Sequence, residues 1–101
     1  MTDQAERLFN CCPHGVAPDW SQYVALQIGG CRDDDGATDG GLTYQTAEFF
    51  TVYGVVMDGD LRMVEAITDV PTVSLINALS VAQELAAISG LRLTVCPFLF
   101  A

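Results

Sequence analysis

Lysine is absent from this chain, and its 101 residues contain only four arginines: Arg7, Arg32, Arg62 and Arg92. So few cations exclude direct binding to a nucleic-acid backbone, which draws its affinity from Lys and Arg. Histidine is reduced to His14. A Cys–His nucleophilic pair can be assembled from distant residues, but no oxyanion or substrate-pocket motif accompanies this one, and no enzyme is expected. Long apolar runs are missing too. The longest, Val73 to Ile88, is interrupted by Ser74, Asn77, Ser80, Gln83 and Glu84, too polar and too short for a membrane span of about 20 residues. The first residues, Met1 to Leu8, are acidic and lack the basic region of a signal peptide. A cytoplasmic chain with no membrane partner is expected, its Cys11, Cys12, Cys31 and Cys96 being reduced thiols.

Acid is what the chain has in excess. Thirteen Asp and Glu give a formal net charge of -9. Small soluble domains are comfortable at a magnitude of roughly 2–8, so this one carries self-repulsion in its folded state. Disorder does not explain the charge: half the residues are hydrophobic and mean hydropathy is +0.32, whereas acidic disordered chains are poor in apolar residues. At 10.8 kDa the chain is read as one domain over residues 1–101.

The first part is the less patterned. Residues 2–10 read as a turn or two of helix, ended by Cys11-Cys12-Pro13-His14-Gly15. Residues 1–18 are expected to be mobile. Trp20 to Ile28 reads as a strand. Gly29 to Gly41, crowded with Asp33, Asp34, Asp35 and Asp39, reads as a long acidic loop, and loops of that length are usually functional or mobile. From Ala47 to Met57 the chain is β-branched and aromatic, and Asp58-Gly59-Asp60 supplies a hairpin turn. Leu61 to Thr68 returns; a two-residue or a three-residue loop places Glu65 on opposite sides of the sheet. Thr72 or Ser74 caps a helix that stops at Gly90, with Leu75, Leu79, Ala82 and Ala86 at helical spacing, flanked by Ile76, Leu85 and Ile88. Leu91 to Cys96 alternates as a final strand that Pro97 ends or confines to an edge. The sum is an α+β domain: a small antiparallel sheet of three to four strands with one long helix packed across it.

Cation sites fail on spacing. An EF-hand loop with Gly36 at its sixth position places Cys31 first and Leu42 twelfth; with Gly40 there, Ala37 falls third and Thr46 twelfth. Cys11, Cys12, His14 and Cys31 lack the paired Cys-x₂₋₄-Cys hooks of zinc sites. No metal or other cofactor is expected. Phosphate loops fail on charge, since the glycine pairs are surrounded by aspartates.

The exclusion of nucleic acid can be inverted. Duplex DNA presents one negative charge about every 1.7 Å of axis, and a track of carboxylates approximates it to a Lys/Arg-lined groove. Asp33, Asp34, Asp35 and Asp39 form one part of such a track, and Asp58 and Asp60 another. Glu65 and Asp69, with Glu48, extend it if they face outward. These carboxylates are the candidate partner-binding residues, for a basic nucleic-acid-binding protein. Pro97-Phe98-Leu99-Phe100-Ala101 is too apolar to hang free; it fills the core or meets another subunit. A homodimer through the sheet or this terminus, acidic only for solubility, is the alternative.

The region Ala47–Val95, with its Phe49-Phe50-Thr51-Val52-Tyr53-Gly54 strand, Asp-Gly turn, Asp69…Thr72 helix start and Ala/Leu helix, resembles small proteins of bacterial phages and plasmids. Anti-CRISPR proteins are a prominent group among small acidic proteins of such mobile elements. The resemblance implies an inhibitor in the cytoplasm of a bacterial host that occupies the DNA-binding surface of a CRISPR effector subunit. That family shares no diagnostic motif, so no residue role is carried over from it.

Overall fold

The computed structural model describes residues 7–101. Five strands and one helix follow two single 3₁₀ turns: β1 (Ala25–Asp34), β2 (Ala37–Leu42), β3 (Phe49–Asp58), β4 (Leu61–Val70), α1 (Leu75–Ser89) and β5 (Leu93–Val95). The strands form one sheet in the order β2-β1-β3-β4, antiparallel throughout, with β5 added parallel to β1 beside Leu26–Ile28. The α+β architecture expected from the sequence is therefore present, with one more strand.

Helix α1 begins where Ser74 accepts a hydrogen bond from the Asn77 amide (3.3 Å). It ends at Gly90, whose φ of 74° is the left-handed cap conformation that glycine takes without strain. The helix lies over β1, β3 and β5. Its fully buried residues are Ala78, Ala82 and Leu85, while Ile76 and Ile88 are exposed. The stripe is thus rotated from the leucine-centred one expected, because two alanines let the helix approach closely. Leu26, Ile28, Phe50, Val52, Ile67 and Leu99 complete the core with Leu8 and Phe9. The C-terminal segment answers in both ways: Leu99 is fully buried, while Phe98 and Phe100 stay exposed, Phe100 against Tyr44.

Two expectations are corrected. Trp20–Gln22 is a 3₁₀ turn, not strand; Asp19 caps it by accepting from the Ser21 amide (3.1 Å), and Trp20 packs on Phe9 and Tyr23. Residues 29–41 are not a loop. Gly29 and Gly30 continue β1, which turns at Asp35-Gly36 and returns as β2. The described part of the N-terminal segment is anchored: the Cys11 amide donates to Ile67 O (3.0 Å), and the buried Thr68 hydroxyl donates to Arg7 O (3.0 Å). Residues 1–6 of the expected mobile stretch lie outside the described residues.

The β3–β4 loop has two residues, Gly59 and Asp60, since Asp58 pairs with Leu61. Farther along, Val52 opposes Thr68 but Tyr53 opposes Ala66, so Ile67 is an extra residue, a bulge. Ile67 and Thr68 are both fully buried, and Asp69 lands opposite Thr51.

Candidate functional site

The β1–β2 hairpin owes its shape to one dipeptide. Asp35 and Gly36 have φ of 53° and 86°, the pair of positive values that a two-residue hairpin turn of type I′ requires. Cys31 is the last β1 residue paired with β3, opposite Phe49. Arg32 to Asp34 and their β2 partners therefore project beyond β3. Thr38 lies opposite Asp33 and donates to its Oδ1 (3.2 Å), and Arg32 Nε stands 3.5 Å from Asp39 Oδ2. Both partners of that ion pair are half exposed, so it contributes about 0–1 kcal/mol.

Two further carboxylates join this end. The Glu48 amide donates to Cys31 O (2.8 Å), which fixes residue 48 beside β1. Asp69 Oδ1 accepts from Thr51 Oγ1 (2.7 Å), while its main chain is clamped by the Asn10 side chain, which accepts from Asp69 N (2.7 Å) and donates to Asp69 O (2.8 Å). Asp33, Glu48 and Asp69, with Thr38, Phe49 and Pro71, line one cavity of about 450 Å³. Among the described residues no basic side chain lines it.

Behind Asp69 a hydrogen-bonded chain runs into the sheet. Thr51 Oγ1 is 3.4 Å from the buried Cys31 Sγ, which is 3.3 Å from the Tyr53 hydroxyl. Burial, and then the neighbouring Cys31, push the Tyr53 phenol well above its ordinary value. Near Asp69, burial and then its carboxylate push the Cys11 thiol up to about 11. Both groups, already neutral at physiological pH at their ordinary values, stay neutral further into the alkaline range.

The eight sequence-derived carboxylates do not form one track. Asp33, Asp34, Asp35, Asp39 and Asp69 gather at one end of the sheet with Glu48. Asp58 and Asp60 sit at the turn closing the other end of β3 and β4. A ten-residue strand spans about 33 Å, against a screening length of about 8 Å at physiological salt. The two ends therefore act independently. Glu65 is elsewhere again: it opposes Gly54 and accepts from the Tyr23 hydroxyl (3.0 Å). Sequence reasoning did not connect Thr38, Phe49 or Pro71 with the acidic residues, because only the projecting hairpin and the bulge bring them together.

Cys31 lies under Tyr53, whereas Cys11 and Cys12 flank the far edge of β4, where the Cys11 amide and the Cys12 thiol both meet Ile67 O. Among the described residues, no group of three or more His, Cys, Asp or Glu side chains is placed to hold a metal ion. No helix of the described residues is long and apolar enough to cross a membrane. No protein-family model, curated protein or solved structure matches the chain.

Proposed function

We propose that this protein is a non-enzymatic inhibitor that binds a basic nucleic-acid-binding protein and blocks its access to DNA. The observation that supports the reading is the acidic end of the sheet. There Asp33, Asp34, Asp35, Asp39, Glu48 and Asp69 are gathered around a projecting hairpin and its cavity, with Arg32, already paired to Asp39, as the one cation of that hairpin. Carboxylates so placed steer a Lys/Arg-lined groove and raise its rate of encounter. The cavity, with Phe49 and Pro71 in its wall, offers a basic side chain an apolar seat beside three charges. Durable affinity comes from such anchors, not from rim charges.

The resemblance to anti-CRISPR proteins makes a CRISPR effector subunit in the cytoplasm of a bacterial host the first partner to try. Binding of the purified protein to single-chain and multi-subunit effectors across a salt series tests the reading. Affinity should fall as salt rises, and fall again when Asp33, Asp34 and Asp35 are replaced by Asn. Binding indifferent to both changes removes the charge mechanism.

A further inference from the structure

Among the described residues, strand β4 pairs with β3 on one side only. Its outer edge divides into two halves. The chain's own N-terminal segment covers the half at Ile67–Asp69, through the Cys11 amide on Ile67 O and the Asn10 side chain on Asp69. Among the described residues nothing covers Leu61–Ala66, and all six are exposed. In a hairpin closed by a two-residue loop, Leu61, Met63 and Glu65 bond inward to β3, so the amides and carbonyls of Arg62, Val64 and Ala66 point outward.

Soluble proteins guard such an edge with lysine, proline, inward charge or a bulge, and the bulge of β4 at Ile67 lies beyond this half. Residues 61–66 contain neither lysine nor proline. Their two charges are turned elsewhere: Arg62 reaches over β3 to Gln27 Oε1 (2.8 Å), and Glu65 is engaged by Tyr23. What remains is apolar, with Leu61, Met63 and Val64 exposed by 58%, 43% and 44%.

We propose that a second copy of this chain pairs with this half-edge, antiparallel, about a two-fold axis through Met63. Arg62 of each copy then exchanges both main-chain hydrogen bonds with Val64 of the other. The two Met63 side chains meet at a non-hydrogen-bonded position, where Cα atoms are about 4.5 Å apart. Leu61 lies beside Glu65 of the second copy. The register is bounded on both sides. An axis nearer Ala66 drives the second copy's Gly59-Asp60 turn into Cys11 and Asn10, and an axis at Arg62 leaves Val64 facing that turn. Each copy carries a charge of -9, so salt strengthens this contact by screening, whereas it weakens binding to a basic partner.

Sedimentation of the full chain over a concentration series, at low and at high salt, reads the association. A dimer that tightens with salt and is weakened at least tenfold by V64P is expected; the Val64 amide points outward, so the hairpin keeps its own bonds. A chain that stays monomeric at millimolar concentration and high salt overturns the proposal, as does a dimer that V64P leaves intact. Cross-linking reads the register independently of that variant. In a C11S background, M63C should oxidise to a disulfide-linked dimer much faster than L61C. Equal rates at the two positions overturn the axis assignment.

Discussion

Asp33 on β1 and Asp69 on β4 line the same cavity although β3 lies between their strands. Two features bring them together: β1 overruns the start of β3, and the bulge at Ile67 sets Asp69 opposite Thr51. These like charges are held near one another by main-chain pairing and by the Asn10 clamp, not by mutual attraction. Removing one should not harm the fold. Asp33→Asn and Asp34→Asn are expected to change stability by less than about 0.5 kcal/mol, measured by urea unfolding. Asp35→Val should be clearly worse than Asp35→Asn, because a β-branched residue resists the positive φ of the turn.

Among the glycines of the sheet, Gly54 leaves the least room for a side chain. A Cβ there would stand 2.6 Å from the Tyr23 ring, and Tyr23 is itself buried and bonded to Glu65. Gly54→Ala should therefore destabilise by about 1–3 kcal/mol through overpacking, seen as a lower denaturant midpoint. Gly36→Ala, where nothing lies within 4 Å, has only the strain of its positive φ to bear.

The Asp35-Gly36 turn shows why part of the fold was hidden in the sequence. Asp58-Gly59 was legible as a hairpin because alternating apolar residues flank it. Asp35-Gly36 is the same dipeptide, but its flanks are aspartates and glycines with no alternation to read. Tertiary contacts make those flanks strand: the Tyr53 ring covers Gly29, and a Cβ at Gly30 would meet Ala47 and Leu42 O at 2.9 Å. The helix and its caps were legible because capping is local. The gathering of acids at one end was only half legible, since the hairpin length and the Ile67 bulge decide which carboxylates share a surface. Glu65 illustrates the point, since a two-residue loop sends it to Tyr23 and away from Asp69.

Tyr23 links stability to alkaline pH. Burial, and then the Glu65 carboxylate, push its phenol up to about 12, and the unfolded value is near 10. A folded value above the unfolded one means that this stabilisation is complete below about pH 10 and is lost as pH rises towards 12. Urea midpoints measured from pH 8 to 11.5 should fall at the alkaline end. Tyr23→Phe should start lower, having lost a hydrogen bond, and fall less steeply.

Thr68 fastens the N-terminal segment to β4. Its hydroxyl donates to Arg7 O and accepts from the Asn10 amide (3.4 Å) in a fully buried position. Thr68→Val removes both of these hydrogen bonds, at a cost of about 1–3 kcal/mol. Proteolysis should then cut near Cys11–Gly15 faster than in the parent, while β1–β3 amide protection is retained.

Under the proposed function the β1–β2 end, and not net charge alone, engages a DNA-binding groove. Displacement of labelled target DNA from a guide-loaded CRISPR effector, followed by anisotropy at low salt, tests it most directly. Displacement by the parent protein is expected, at least tenfold weaker for D33N/D34N/D35N (about 1.4 kcal/mol), and nearly unchanged for D58N/D60N at the opposite turn. Equal displacement by the parent and both variants, or no displacement by any of them, would contradict it.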